Sequence, residues 1–201
     1  DGGTSGFLRQ LFNSQELTAD EAISAWGDEG VQPLNKNQWN SEHPFLRGFY
    51  YRLFFGVTVC NHYLDVASNY DATMTAEVRF LRALYYYYLM DGWGNIGFRT
   101  TVGSDKPGQM SRANLYKWIE SELLAAEQNM AAAKPEKDTE EGYGRADKAA
   151  AWLLLSRLYL NAEVYTGKAE WAKAKEYAKK VMDSSYKLHT GSTVNGWTAY
   201  Q

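Results

Sequence analysis

The segment from Thr75 to Phe98, with the sequence TAEVRFLRALYYYYLMDGWGNIGF, constrains the fold more than any other part of the chain. At helical spacing it has two apolar faces, one with Val78, Leu81, Tyr85, Tyr88 and Leu89 and the other with Phe80, Leu84 and Tyr87. Because apolar side chains cover most of the circumference, we predict a helix surrounded by other helices. The four consecutive tyrosines point in four directions, which favours core packing over a flat stacking surface.

The ends of this helix are marked by local signals. Thr73 or Thr75 is a candidate N-cap, and Gly92 or Gly94 suits the left-handed position that follows a helix. Two arginines, Arg79 and Arg82, lie inside the helix, where we expect them to pair with carboxylates or loop carbonyls of neighbouring segments.

Further helical patterns follow along the chain. One runs from Pro44 to about residue 68, where Pro44 fits the first helical position. Ser111 is a candidate N-cap for a helix to about residue 133, a nearly all-apolar helix covers about 149–160, and an amphipathic one covers about 169–184. An outer amphipathic helix followed by a more apolar inner one is typical of tetratricopeptide-like hairpins, although the spacing of roughly 60 to 70 residues exceeds the usual ~34.

The first 42 residues have a different composition, with frequent Gly, Asn, Asp and Gln and amphipathic spacing only near residues 4–13. We therefore predict an irregular, loop-rich segment at 1–42 and a helical repeat region at 43–201, the latter an incomplete part of a longer single domain. The predicted fold class is all-α, built from tetratricopeptide-like helix hairpins.

Charge and motif content argue against several functions. A formal net charge of −3 argues against a nucleic-acid partner. The histidines and the single cysteine, Cys60, have no ligand spacing, so we expect no metal and no cofactor. Cys60 lies in an apolar helical pattern, which indicates a buried structural thiol. The adjacent pair Asp20 and Glu21 does not define the two separated carboxylates of a glycosidase, so we predict no catalytic residue.

Two tryptophans lie outside the helical patterns, Trp26 in SAWGDEGVQPL and Trp39 in NKNQWNSEHP. Sugar rings present apolar C–H faces and a rim of hydroxyl groups, so an aromatic ring among amides and carboxylates suits a glycan site. The predicted glycan-binding residues are Trp26, Asp28, Gln38, Trp39 and Asn40. The alternative is that each tryptophan anchors its loop to the helices.

Three segments resemble the SusD/RagB family of nutrient-binding lipoproteins. AEVRFLRALYYYYLMDGWGNIGF resembles the family signature AE-x-RFLRA-x-Y followed by D-x-x-G, and GRADKAAAWLLLSRLYLNAEVYTG with AEWAKAKEYAKKVMDSSYKL resembles its second hairpin. A third match is the run from Thr18 to Glu21, which resembles the acidic segment that precedes the family's glycan-contacting loops. Gly92 to Gly97 departs from the Leu-Tyr-Gly-Asp-Val-Pro-like turn of the family. The resemblance covers the N-terminal half of a SusD-like protein.

This resemblance implies a SusD-like α/α superhelix that binds an oligosaccharide or other nutrient and is not an enzyme. It implies a location on the cell-surface face of the outer membrane, with membrane attachment only through a lipid anchor outside this chain. The implied protein partner is a TonB-dependent, SusC-like transporter. A tetratricopeptide-like adaptor that binds a protein or peptide is the alternative, and a helical carbohydrate enzyme is a third class.

Overall fold

The computed structural model describes residues 3, 6–137 and 139–188, together with the backbone of 193–194 and 197–198. Within these residues the helices are α1 (Phe7–Glu16), α2 (Val31–Asn35), α3 (Pro44–Ala67), α4 (Ala72–Trp93), α5 (Arg112–Glu127), α6 (Lys148–Leu160), α7 (Ala162–Thr166) and α8 (Trp171–Met182). Two short antiparallel pairs join β1 (Ile96–Gly97) to β2 (Gln109–Met110) and β3 (Thr193–Val194) to β4 (Trp197–Thr198). The predicted all-α class is confirmed.

Several helix ends follow the local signals in the sequence. Pro44 occupies the first turn of α3, and the Ser111 hydroxyl accepts a hydrogen bond from the backbone N–H of Asn114 at the start of α5. Gly94 ends α4 with φ of 73°. The predicted end of α5 near residue 133 is wrong, because the helix stops at Glu127.

The predicted N-cap of α4 is also wrong. Asp71 caps this helix, since its carboxylate accepts a 2.7 Å hydrogen bond from the backbone N–H of Met74. A carboxylate at this position satisfies a free N–H group and also interacts favourably with the helix dipole. The helix therefore begins at Ala72, before either of the candidate threonines.

The main core lies where α4 packs against α3 and α5, and it continues through α6 to α8. Tyr86 and Tyr87 are fully buried in it, and Tyr85 and Tyr88 are partly buried against it, as the core interpretation of the tyrosine run predicted. Cys60 is buried as well, and burial raises the pKa of its thiol to about 11. The outer side of α4 is less enclosed than predicted, because Leu81 remains 37% exposed.

Helices α1 and α2 fold the early segment onto this stack. Phe7 of α1 packs edge-on against Tyr88 of α4, with ring centroids 5.5 Å apart. Val31 and Leu34 of α2 form a second, smaller core with Leu17. The boundary at residue 42 between the two predicted parts of the chain stays a prediction. Residues before and after this boundary pack against each other, as Phe7 and Tyr88 do.

No helix in the described ranges is long and apolar enough to cross a membrane.

Candidate functional site: two aromatic clefts beside helix α1

Trp26 and Asp28, two of the predicted glycan-binding residues, meet at the side chain of Arg9. The guanidinium of Arg9 lies over the Trp26 indole, 5.1 Å from the ring centroid. The same guanidinium donates a hydrogen bond of 2.7 Å from Nη2 to Oδ2 of Asp28. The ion pair and the cation–π contact hold an indole that is still 63% exposed.

A cleft of about 300 Å³ opens beside this tryptophan. Its lining residues are Arg9, Phe12 and Asn13 of α1 together with Leu17, Ser24, Trp26 and Val31. Nε of Arg9 is buried and has no hydrogen-bond partner among the described residues. Buried polar atoms are normally hydrogen-bonded, so an unpaired buried donor is an unusual feature of this arginine.

Trp39 lines a different cleft, of about 230 Å³. Its walls are formed by residues of α1, α2, α3 and the end of α4 together with Thr18 and the Trp39 loop. The lining residues are Leu11, Ser14, Gln15, Thr18, Leu34, Trp39, Leu46, Phe49, Tyr88, Asp91, Gly92 and Trp93. Trp39 is 44% exposed. Aromatic rings therefore meet polar side chains at this position too, but the polar side chains come from α1, the residues just after it and the end of α4, and not from the loop that contains Trp39.

Helix α1 separates the two clefts. Arg9 and Asn13 face the Trp26 cleft, whereas Leu11 and Gln15 face the Trp39 cleft. Successive residues of a helix are rotated by about 100°, so residues 11 and 15 lie on the flank roughly opposite residues 9 and 13. The structure consequently places the two tryptophans at two separate sites.

Gln38 and Asn40 are exposed and line neither cleft. The Asn40 carboxamide oxygen accepts a 3.0 Å hydrogen bond from the backbone N–H of Glu42, in the turn that leads into α3. This is the usual local role of an asparagine side chain in a turn. Their contact with a glycan stays a prediction.

The residues missed from the sequence are Arg9, Asp91 and Trp93. Arg9 pairs with Asp28 across a sequence separation of 19, and Asp91 accepts a hydrogen bond from the Tyr165 hydroxyl across a separation of 74. No local pattern signals such pairs. The weak clue for Arg9 was a single basic residue in the amphipathic segment before the Trp26 loop.

A further cavity of about 500 Å³ lies between the start of α4 and the loop before α6. Several of its lining residues pair with one another. Arg145 donates to both carboxylate oxygens of Glu77, and the Tyr186 hydroxyl donates to Asp147 at 2.8 Å. These contacts hold the loop in place beside the start of α4.

Among the described residues, no group of three or more His, Cys, Asp or Glu side chains is placed to bind a metal ion. His189, one of the three histidines, lies outside the described residues.

Comparison with known proteins gives consistent results. Residues 9–160 match the model of a SusD-like family described as starch-binding and associating with the outer membrane. The starch-binding protein SusD of Bacteroides thetaiotaomicron is 40% identical over 195 residues, which cover 94% of this chain and 34% of that protein.

Solved structures agree with these sequence matches. A SusD superfamily protein from Parabacteroides distasonis has a TM-score of 0.72 at 24% identity, with 92% of this chain and 40% of that chain covered. Surface glycan-binding protein A from Bacteroides uniformis has a TM-score of 0.62 at 25% identity, with 76% and 35% covered.

The chain thus spans about a third of the length of SusD. The family match, in contrast, extends through most of the chain, from α1 to the end of α6. By this match the chain belongs to the SusD-like family of proteins.

Proposed function

We propose that this chain supplies part of the glycan-binding surface of a SusD-like protein, with Trp26 as the stacking surface for a starch-type oligosaccharide. The observation that carries the proposal is the exposed Trp26 indole held by Arg9 and Asp28. The relative that is 40% identical is a starch-binding protein, which supports an α-1,4-linked glucan as the ligand class.

The chemistry of the cleft suits a sugar. An exposed indole can cover the apolar C–H face of a glucose ring, and the rigid ring loses little conformational entropy when it does so. Arg9, Asn13 and Ser24 supply the polar side chains among the residues that line the cleft.

We further propose that the protein binds the glycan without cleaving it. Glycoside hydrolysis needs two carboxyl groups about 5–10 Å apart across the bond. None of the residues that line the Trp26 cleft is an aspartate or glutamate, and the nearby Asp28 carboxylate is engaged by Arg9.

The proposed location is the cell-surface face of the outer membrane, with a lipid anchor outside this chain. The family description, which associates these proteins with the outer membrane, supports this location. A TonB-dependent, SusC-like transporter is the proposed partner that receives the captured oligosaccharide. Recovery of the full-length protein with a soluble partner and with no such transporter would favour the adaptor alternative instead.

Calorimetric titration of the chain with maltohexaose tests the proposed site. Trp26→Ala is expected to cost about 1–3 kcal/mol of binding free energy, by analogy with the loss found when an aromatic ring that stacks on a nucleic-acid base is removed. Arg9→Met, which keeps the apolar stem but removes the guanidinium, is expected to weaken binding as well, because Trp26 loses its contact and the cleft loses a donor.

Trp171→Ala is the matched control, since Trp171 is 62% exposed but lies on α8. Equal affinity of the Trp26→Ala, Trp171→Ala and unsubstituted proteins would contradict the site. Release of shorter sugars during incubation, followed by chromatography, would contradict the non-catalytic proposal.

A further inference from the structure

We propose that the Trp39 cleft is a second sugar-binding site, which takes one glucose unit of the glycan independently of the Trp26 cleft. The ligand class rests on the proposed function, whereas the site itself rests on the aromatic and polar residues at the end of α4. These residues, Tyr88, Asp91 and Trp93, stand on the flank of α1 that faces away from Trp26.

The aromatic walls of this cleft are held in fixed positions by the core. Trp93 packs against Phe49 and Tyr50, with ring centroids at 5.8 Å and 5.3 Å. Tyr88 packs edge-on against Phe7. Trp39 faces these rings from the loop before α3 and keeps 44% of its surface exposed. A sugar ring that enters the cleft therefore meets apolar surfaces that need little further ordering.

The polar side of the cleft is set by Asp91. Oδ1 of this carboxylate accepts a 2.7 Å hydrogen bond from the Tyr165 hydroxyl, which orients the group. Oδ2 has no hydrogen-bond donor among the described residues, and Asp91 itself is exposed, so Oδ2 can accept from a ligand hydroxyl. A charged acceptor makes a stronger hydrogen bond than a neutral one.

Gln15 adds an amide that can both donate and accept. The hydroxyls of Ser14 and Thr18, in contrast, already donate to backbone carbonyls of α1 at 3.0 Å. None of the lining residues is basic, and Asp91 is acidic. A lining with an acidic residue and no basic residue disfavours anionic ligands such as phosphates and carboxylates. It suits a neutral ring with several hydroxyl groups.

The size of the cleft limits what it can hold. Its volume of about 230 Å³ lies below the roughly 300–1,000 Å³ of pockets that enclose drug-sized molecules. A cleft of this volume suits one monosaccharide ring of a longer glycan better than a whole oligosaccharide. A second site beside the Trp26 cleft would raise the apparent affinity for a glucan long enough to reach both sites through multivalent binding.

The test is an NMR titration of the ¹⁵N-labelled chain with maltohexaose, in which the indole N–H signals of Trp26, Trp39 and Trp93 are assigned by single Trp→Phe substitutions. We expect the Trp39 and Trp93 signals to shift with a saturating dependence on ligand concentration. These shifts should persist in Trp26→Ala, disappear in Trp39→Ala and saturate at about tenfold higher concentration in Asp91→Asn.

Asp91→Asn is a suitable variant because the asparagine oxygen can still accept the hydrogen bond from Tyr165. Trp171→Ala is the control and should leave the titration unchanged. Circular dichroism of each variant checks that the helices are retained, so that a lost signal reports lost binding.

Three outcomes would overturn the inference. If Trp26 responds but neither Trp39 nor Trp93 does, the second site is absent and the proposed function stands. If the Trp39 shifts vanish in Trp26→Ala, the two clefts do not bind independently. If no indole signal responds to millimolar maltohexaose, both this inference and the proposed function are wrong.

Discussion

The guanidinium of Arg82 donates a 2.8 Å hydrogen bond to the carboxylate of Glu122, and the two side chains are only 8% and 9% exposed. Glu122 also binds Arg79, at 2.7 Å. The predicted pairing of both arginines with carboxylates or loop carbonyls of neighbouring segments is thereby confirmed. The ion pair joins α4 to α5 inside the helical stack.

Arg82 also fixes the connection between these two helices. Its Nη1 donates to Asn61 at 2.9 Å and to the Thr100 carbonyl at 3.2 Å, and Asn61 donates in turn to the Arg99 carbonyl. The Tyr86 hydroxyl donates to that same carbonyl and accepts from the Arg99 N–H. Three buried side chains thus satisfy the backbone polar groups of a loop that has little secondary structure of its own.

Removal of the Glu122 carboxylate should therefore destabilise the protein. In Glu122→Ala two arginines lose their partner, one of them buried, and such a loss typically costs about 3–5 kcal/mol. Urea unfolding followed by circular dichroism measures the change. The control is Asp183→Ala in the exposed ion pair with Lys179, which should cost no more than about 1 kcal/mol. Similar losses in the two variants would contradict a structural role for the buried pair.

The same ion pair predicts acid sensitivity. Burial alone would raise the pKa of Glu122, but the hydrogen bonds and charges of Arg79 and Arg82 outweigh burial and lower the pKa below 4.5. A carboxyl group whose pKa is lower in the folded state than in the unfolded state stabilises the folded protein. This stabilisation is complete above about pH 4.5 and is lost as the pH falls through the folded-state pKa. The free energy of unfolding should accordingly decrease as the pH is lowered below about 4.5.

Glu122→Gln cannot titrate, so its stability should depend less on pH in this acidic range than that of the unsubstituted protein. Urea titrations between about pH 6 and about pH 3 compare the two. Parallel pH profiles would show that other carboxylates cause the acid sensitivity.

Alanine substitutions at two glycines at the end of α4 should change the stability of the protein in opposite directions. Gly94 has φ of 73° and ψ of −103°, a conformation that an L-residue with a side chain rarely adopts, so Gly94→Ala should destabilise by more than about 1 kcal/mol. A Cβ at Gly92 would meet no atom within 4 Å, and this residue is helical, so Gly92→Ala should stabilise by up to about 1 kcal/mol. Thermal unfolding distinguishes the two, and a gain in stability for Gly94→Ala would refute the strain argument.

Several features were predictable from the sequence because they depend on residues close in the chain. Pro44, Ser111 and Gly94 act within one helical turn, and the burial of Cys60 follows from apolar spacing along α3. The start of α4 escaped prediction because Asp71 competes with two nearby threonines for the same role, and residue preferences alone rank such candidates poorly.

The sequence by itself thus determined the longer helices, several of their ends and the aromatic character of the early loops, but not the short helices α2 and α7. Only the tertiary structure decided which side chains stand together: Arg9 with Trp26 and Asp28, and Trp39 with Trp93 and Asp91. The physical reason is that helix periodicity and capping are local, whereas these groups meet because α1 packs against α3. That packing places one tryptophan on each flank of α1, so the predicted glycan-binding residues Trp26 and Trp39 lie in two clefts.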